Sequence, residues 1–318
     1  MEKILLNDME PGKTYDTLIL VTDVVQRDAK NNKPYCVFSL VDGKASVNAN
    51  RFSDSTPATL ENNRIYAGKV CEVSLEVSVY AGAPSFIIKS IRPAEAGTYD
   101  IGDFIVKAPV DPQKMYDTIM NVLCGCSLSV KQVALNLYTE HKEKLLYWSA
   151  AKAFHHNYYA GLLYHTYRML SHSAVVCKIY KNLNRDLLLV GTALHDIGKL
   201  KEFETDPMGN AAYTVDGNLF GHLLMGVEMI DAEVAKNPSA YNPEEVRLLK
   251  HMVASHHGNL DMGAVRVPAT MEAVALYFID MMDARMEICD SNYQNMMPGE
   301  VTDRNVLGLD SRLYRGML

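Results

Sequence analysis

The first part of the chain, up to about residue 92, alternates between apolar and polar positions with the two-residue period of β-strands. The longest run, residues 64–80, has an apolar side chain at nearly every second position near its end. Turn-forming residues such as Asp42-Gly43 separate the runs. Five strands and one short helix are predicted: Thr14–Val25, Pro34–Val41, Lys44–Phe52, Arg64–Tyr80 and Ser85–Arg92, with the helix near Ala58–Asn62. This order favours a small closed barrel of the OB type.

From about Pro112 onward, apolar residues recur every three or four positions, which is the period of amphipathic helices. The predicted helices are Met115–Leu123, Ser129–Glu140, Lys142–Ala153, His156–Tyr180, Asp186–Ile197, Gly221–Lys236, Pro243–Ala254 and Pro268–Asp290. Residues 96–111 show no sustained period and contain Gly102 and Pro109, so they are predicted to be a linker. The sequence thus predicts a multidomain β-then-α protein: an N-terminal OB-type β-barrel over residues 1–95 and an all-α helical bundle over residues 112–318.

The composition fits two globular domains, because 48% of the 318 residues are hydrophobic and only 22% are charged. A formal net charge of −7 gives no support for tight, nonspecific binding to duplex DNA. The six cysteines form no regular framework, and no stretch is apolar enough to be a signal peptide or a membrane span. These observations predict a cytoplasmic protein without a membrane partner. The sequence leaves the oligomeric state open, and a homo-oligomer is one alternative.

The helical region contains an ordered series of metal-binding residue types: His165, His195-Asp196, His222, His256-His257 and Asp280. Histidine offers a neutral nitrogen ligand, and a carboxylate can bridge two cations. Each position lies on a separate predicted helix or helix end, and ligands from different helices can converge in the core of a bundle. His195 and Asp196 follow a continuous apolar run, so the charged Asp196 needs a partner in a buried setting, and a cation would provide one.

Each of these features has an ordinary explanation when it is taken alone. A single histidine is more often a hydrogen-bonded core or surface residue than a ligand, and the dipeptide His195-Asp196 is common by chance. The full series is much more specific than its parts. Lys199 lies three residues beyond Asp196, where it would either contact a substrate phosphate or lie in solvent near the helix end.

Several longer strings resemble a known family. LHDIGKL (194–200) resembles the signature of the HD phosphohydrolase superfamily, and HHNYYAGLLYHT (155–166), GNLFGHL (217–223) and SHHG (255–258) extend the likeness. Together with the OB-type region, they resemble the YhaM-type 3′-to-5′ exoribonucleases of bacteria. The likeness covers nearly the whole chain. It implies a metal-dependent exoribonuclease that hydrolyses the phosphodiester bonds of single-stranded RNA to mononucleotides. Single-stranded DNA is an alternative substrate.

The resemblance also implies roles for individual residues. The ligands of one divalent cation would be His165, His195, Asp196 and Asp280; those of a second would be His222 and His256, with Asp196 bridging. His257 would be a further ligand or a neighbour of one. Manganese is the first expectation for the two ions, and the N/O ligand set also suits Fe, Co, Ni, Zn or Mg. Catalytic roles would fall to Asp196 and Lys199, and substrate contacts to Lys199 and to Arg285, which stands where the family often has lysine. His156 is a further candidate for a contact with the substrate phosphate, and its alternative role is at a helix start or in the core.

In the predicted barrel, the aromatic residues Tyr35, Phe38 and Phe52 are candidates for stacking on unpaired bases. Aromatic residues in strands are more often part of the core, so this prediction competes with a structural one. Phe52 stands where the family often has tryptophan.

Two other functions stay open at this point. The first is an HD-domain phosphohydrolase that acts on a small nucleotide or a cyclic dinucleotide. The second is a noncatalytic RNA-binding protein with a structural metal. A phosphate-binding P-loop is not among the alternatives, because Gly198-Lys199 ends a predicted helix and opens none.

Overall fold

The structure is a computed structural model that describes residues 3–29, 33–52, 57–80, 83–150, 158–206, 211–293 and 296–317. The chain divides into two compact units, Met1–Lys107 and Ala108–Leu318. The linker and domain boundaries expected at residues 95 and 112 stay predictions.

The first unit is built around a closed barrel with the strand order β1-β2-β3-β5-β4. Its elements are β1 (Thr14–Asp28), β2 (Pro34–Val41), β3 (Ser46–Arg51), α1 (Pro57–Asn62), β4 (Lys69–Tyr80) and β5 (Ala83–Pro93). Strands β3 and β5 pair in parallel, and the other neighbours pair antiparallel. This order, with a helix between the third and fourth strands, confirms the predicted OB-type barrel.

The alternation in the sequence places one face of each strand in the barrel core. In β4, for example, Val73, Leu75 and Val77 are buried, while the residues between them are only partly covered. Closure removes the exposed strand edges on which other chains could pair. The barrel is therefore held by a continuous apolar interior and by backbone pairing between all neighbouring strands, which is shortest between β3 and β5.

The three aromatic candidates in the barrel have different environments. Phe38 is completely buried in the core, so the prediction that it stacks on bases is wrong. Its position in β2 faces inward with Cys36 and Leu40, which are also buried. Tyr35 and Phe52 stack on each other with ring centroids 5.4 Å apart, and Phe52 is 59% exposed. A face of this pair is therefore open to solvent.

The second unit is mainly helical. Its helices are α2 (Pro112–Cys124), α3 (Lys131–Glu140), α4 (Lys142–Leu145), α5 (Gly161–Ile179), α6 (Arg185–Leu194), α7 (Lys199–Glu202), α8 (Val215–Lys236), α9 (Pro243–Ser255) and α10 (Met271–Tyr293). Side chains of Asp111, Asn184, Thr214 and Asn242 cap the starts of α2, α6, α8 and α9 by accepting backbone N–H bonds. The predicted β-then-α order is thus confirmed.

Helix α6 lies at the centre of this unit, because Leu187 through Leu194 are all buried. It packs against α5, α9 and α10, which surround it. A helix covered on all sides carries an unbroken apolar run, as this one does, instead of an amphipathic stripe. The residues that follow Leu194 are consequently delivered into the interior of the unit.

Three features of the second unit depart from the predicted all-α bundle. Of the helix predicted over Lys142–Ala153, only Lys142–Leu145 is helical among the described residues. A two-stranded hairpin, β6 (Phe203–Thr205) with β7 (Ala211–Tyr213), follows α7. Helix α8 begins six residues before the predicted start at Gly221, and Gly221 itself has non-helical backbone angles that kink the helix. Residues 207–210 and 151–157 lie outside the described residues. No helix in the described part of the chain is long and apolar enough to cross a membrane.

The contrast between two phenylalanines in the barrel gives a stability prediction. We expect Phe38→Ala to lower the free energy of unfolding by about 3–5 kcal/mol, because it leaves a cavity in the core. Phe52→Ala serves as the matched control and should change the free energy by no more than about 0.5 kcal/mol. Chemical denaturation of the full chain, followed by circular dichroism, measures both. Equal effects from the two variants would contradict the assigned burial.

Candidate metal centre

The site begins at the end of the buried helix α6, where His195 and Asp196 follow Leu194. His195 is fully buried and Asp196 is 3% exposed. Gly198 permits this turn to approach α8, because a Cβ at Gly198 would lie 2.0 Å from the carbonyl oxygen of His222. A residue with any side chain would push the two segments apart. The glycine of the LHDIGKL string therefore brings His222 towards Asp196.

Five histidines of the described chain share one orientation: in each, the ring nitrogen Nδ1 is bonded to an oxygen acceptor. The acceptors are the carbonyl oxygens of Thr192, Val253 and Met262 for His195, His256 and His257, and the carboxylates of Asp283 and Glu202 for His165 and His222. Since these oxygens can only accept, Nδ1 carries the proton. In a neutral ring, the lone pair is then left on Nε2.

These Nε2 atoms point at one another. The Nε2 atoms of His165 and His195 are 3.2 Å apart, and those of His222 and His257 are also 3.2 Å apart. When both rings of a pair are neutral, the two facing lone pairs repel each other and no hydrogen bond joins them. A cation placed among them turns this repulsion into coordination.

Asp196 lies between the two histidine groups and faces both. Its Oδ2 is 3.3 Å from Nε2 of His195 and 3.8 Å from Nε2 of His165. Its Oδ1 is 3.4 Å from Nε2 of His222 and 3.6 Å from Nε2 of His256. The two oxygens of this carboxylate thus face different sets of nitrogens, as the oxygens of a bridging carboxylate would.

The donor atoms form compact sets that fit divalent metal. Three groups have ligand atoms within 4.8 Å of one another: His165, His195 and Asp280; His195, Asp196 and His256; and His222, His256 and His257. Within the described chain, Oδ1 of Asp196 and Nε2 of His256 are buried without a hydrogen-bond partner. Unsatisfied buried acceptors are costly, and a cation satisfies both. Mixed nitrogen and carboxylate donors suit first-row transition metals.

Comparisons with known proteins agree with this geometry. The family model described as "HD domain" matches residues 162–285. The chain is 31% identical to the 3′-5′ exoribonuclease YhaM of Bacillus subtilis over 96% of this chain and 95% of that protein. It has the same identity and coverage with the 3′-5′ exoribonuclease YhaM of Bacillus velezensis.

The chain belongs to the YhaM 3′-5′ exoribonuclease family. The predicted family is therefore confirmed, and so is the prediction of an enzyme of the HD superfamily of metal-dependent phosphohydrolases. Among solved structures, a mitochondrial single-stranded DNA-binding protein of S. cerevisiae, Rim1, matches at 18% identity, covering 28% of this chain and all of that one. The TM-score of this match is 0.23, which is too low to indicate a shared fold or function.

The pKa values in this YhaM-family site shift in opposite directions at different residues. Burial disfavours a charged ring at His165, but hydrogen bonds to Asp280 and Asp283 outweigh it and raise its pKa to about 9. Burial also opposes the charge on Lys199, yet the neighbouring Asp196 raises its pKa. At His257, burial together with His256 and His222 lowers the pKa to about 3, so this ring is neutral at physiological pH.

Two acidic residues orient the ligands from behind. Asp283 is fully buried, accepts from Nδ1 of His165 at 2.8 Å, and is itself held by Nε of Arg168 at 2.8 Å. Glu202 accepts from both Nδ1 and the backbone N–H of His222. The kink at Gly221 precedes His222, and the backbone N–H of His222 donates to the carboxylate of Glu202. Such partners fix the ring orientation and raise ligand basicity.

These orienting residues were partly missed from the sequence. Glu202 and Arg168 gave no signal, because a single charged residue on a helix is ordinarily solvated. His251 makes a separate bond, in which its Nε2 accepts the backbone N–H of Ala269.

The remaining candidates fall into separate places. Lys199 is largely covered, with 11% of its side chain exposed, and its Nζ donates to Oδ2 of Asp196 at 2.7 Å, so its ammonium group lies within the site. Arg285 is exposed and lines a cavity of about 390 Å³ together with Asp196, Asp280 and the second histidine group, which is His222, His256 and His257. His156 lies outside the described residues. Tyr35 and Phe52 belong to the other unit.

Removal of an orienting carboxylate should weaken metal binding without removing a ligand. We expect Glu202→Gln and Asp283→Asn each to lower the affinity for Mn²⁺ by about 10- to 100-fold, because the neighbouring ring loses its fixed direction. Isothermal titration calorimetry measures the change. The matched control is Glu204→Gln, two residues from Glu202 and exposed. Unchanged affinity in both variants would show that these carboxylates do not support ligands.

Proposed function

We propose that this chain is a metal-dependent 3′-to-5′ exoribonuclease that hydrolyses single-stranded RNA to mononucleotides, with single-stranded DNA as a second substrate. The observation that carries the proposal is the convergence of four histidine Nε2 atoms on the carboxylate of Asp196 in a YhaM-family chain, with Nε2 of His257 3.2 Å from that of His222. Relatives named 3′-5′ exoribonucleases supply the polymer and the direction of attack.

The proposed ligand sets follow the two sides of Asp196. One divalent cation takes His165, His195, Asp280 and Oδ2 of Asp196. The other takes Oδ1 of Asp196 with the second histidine group: His222, His256 and His257. The third member, His257, is included because its Nε2 has the same orientation as the others and approaches that of His222. Mn²⁺ is our first choice, and the donors also suit Fe, Co, Ni, Zn and Mg.

The chemistry of the site divides between the bound cations and the protein. Divalent cations act as Lewis acids on a phosphodiester and make the attacking water more acidic. Asp196 holds the two ligand sets in register, and its neighbour Lys199 compensates its charge in the buried interior. Arg285, exposed at the cavity wall, is placed to bind a phosphate oxygen of the substrate. We keep His156 as a further phosphate contact.

The barrel supplies a second place for RNA in this proposal. The stacked pair of Tyr35 and Phe52 presents aromatic surface to solvent, and every base has a face that can stack on it. Such contacts tolerate any sequence, as an exonuclease that trims many RNAs requires. An HD enzyme acting on a small nucleotide would not need this surface.

A digestion assay tests the proposal. Single-stranded RNA labelled at its 5′ end should shorten one nucleotide at a time with Mn²⁺, releasing mononucleotides, and a chelator should stop the reaction. His195→Ala should lower the rate at least about 100-fold, because it removes a ligand. His172→Ala, seven residues from His165 on α5, is the control and should keep wild-type activity.

Three outcomes would contradict the proposal. Cleavage confined to mononucleotides or cyclic dinucleotides would favour the small-nucleotide alternative. Internal cleavage of the RNA would contradict attack from the end. RNA hydrolysis that persists in His195→Ala would show that the reaction takes place elsewhere.

The role of the barrel has its own test. We expect Phe52→Ala to weaken binding of a long single-stranded RNA by about 5- to 100-fold, because one stacking contact is lost. Fluorescence anisotropy with labelled RNA measures the dissociation constant. Tyr66→Ala, which removes a 40% exposed aromatic ring elsewhere in the same unit, is the matched control. Similar losses in both variants would argue against a specific stacking surface.

A further inference from the structure

The cavity beside the metal centre is lined by two chemically different sets of side chains. The first set, which we call the charged side, comprises the proposed ligands and charged groups, including Asp196, Asp280 and Arg285. The second set, which we call the apolar side, consists of aromatic and aliphatic side chains: Phe203, Tyr213, Met262, Tyr277, Met281 and Ile288. A volume of about 390 Å³ is in the range of sites that hold one small molecule. Phosphate chemistry accounts for the charged side and leaves the apolar side unexplained.

Helix α10 contributes to both sides through its spacing. Tyr277, Met281, Ala284 and Ile288 are separated by four, three and four residues, so they form one stripe along the helix, and all of them line the cavity. Asp280 lies next to this stripe and approaches His165 at 3.2 Å. One helix therefore fixes the apolar stripe relative to a proposed metal ligand.

The ring of Tyr277 is held close to the second histidine group. Gly258, which follows His256-His257, has a φ of +78°, and a Cβ there would lie 2.2 Å from Cε2 of Tyr277. The ring thus packs directly against the glycine backbone. A side chain at residue 258 would displace it, so the glycine of the SHHG string determines where this aromatic wall stands.

A second aromatic surface comes from the hairpin. Phe203 and Tyr213 are cross-strand partners in β6 and β7, and their ring centroids are 4.8 Å apart. Phe203 is buried, whereas Tyr213 is 46% exposed. The hairpin begins immediately after Glu202, the residue that orients His222. Two aromatic surfaces are therefore attached to elements that also position the ligands.

We propose that the apolar side of this cavity, which we call the base pocket, binds the base of the 3′-terminal nucleotide while its phosphate lies at the metal centre. The inference rests on the proposed function and names the part of the substrate that this side recognises. Aromatic and aliphatic walls bind any base by stacking and burial, and they offer few groups that could read its edge. Ala284 leaves the space that a planar base needs. The pocket therefore favours a nucleotide over a bare sugar phosphate without selecting its sequence.

The first experiment compares two RNA substrates that differ only in the 3′-terminal base, which is present in one and replaced by an abasic ribose in the other. Wild-type protein should have a KM at least about 5-fold lower for the intact end, since stacking of one base contributes that much or more. Tyr277→Ala should remove most of this difference, and Tyr277→Phe should keep it. Tyr180→Ala removes a tyrosine that is 56% exposed outside the cavity and is the matched control.

A second variant tests the same pocket in case Tyr277→Ala does not fold. Ala284→Leu fills the pocket from the same helical stripe and keeps every proposed ligand residue, and it should also abolish the preference for the intact end. Intact RNA ends carrying each of the four bases should have KM values within a few-fold of one another in the wild type. Strong selection of one base, or an unchanged preference in both pocket variants, would overturn the proposal.

A binding measurement separates failure of the pocket from failure of the proposed function. Calorimetry with adenosine 5′-monophosphate and ribose 5-phosphate should show that wild-type protein binds the nucleotide at least about 5-fold more tightly, and that Ala284→Leu loses this ratio. This result would hold even if RNA were not cleaved, in which case the exoribonuclease assignment alone fails. Equal affinity for both ligands in the wild type, alongside normal RNA cleavage, would overturn the base pocket alone.

Discussion

The buried carboxylate of Asp196 is the constraint on which the second unit depends. An ionised group that is 3% exposed cannot be left without compensation, and Lys199 supplies only part of it, at one oxygen. The other oxygen faces the Nε2 atoms of His222 and His256. Five rings are fixed with their Nε2 atoms towards this region, an arrangement that fits a bound divalent cation. We therefore regard metal binding as part of the stability of this unit and not as an addition to a finished fold.

The fold meets this constraint with helices that approach one another unusually closely at the site. The apolar helix α6 is covered on all sides and delivers His195-Asp196 into the interior. Gly198 lets the next turn touch the backbone at His222, and Gly258 lets the ring of Tyr277 pack against its own backbone. Gly198 of the LHDIGKL string and Gly258 of the SHHG string thus have a common physical role. Each lets two segments approach closely enough for the proposed ligands and the cavity walls to lie side by side.

Much of this architecture could be predicted from the sequence, because the signals were periodic. Alternation along residues 64–80 specified barrel strands, and the unbroken apolar run before His195 indicated a buried helix end. The series of histidines and aspartates identified which positions meet, since no other role explains so many on separate helices. Phe38 was misplaced because an inward-facing aromatic and a base-stacking one look alike in a strand; only the register of β2 distinguishes them.

Other features had no local signal. The β6–β7 hairpin is six residues of strand, too short for a period to show. Glu202 and Arg168 act through contacts with residues 20 and 115 positions away, respectively His222 and Asp283, and no spacing rule connects such pairs. The division of the cavity into a charged and an apolar side depends on how α10 is rotated about its axis. That rotation is set by packing against α5, α6 and α9, and therefore by the whole unit.

The most direct test of the account is a crystal structure of the protein soaked with Mn²⁺, with anomalous diffraction used to locate the ions. We predict two anomalous peaks, one on each side of the Asp196 carboxylate, with His165, His195 and Asp280 around the first and the second histidine group around the other. A single peak that does not contact Asp196, or peaks elsewhere on the protein with none among these histidines, would contradict the central claim.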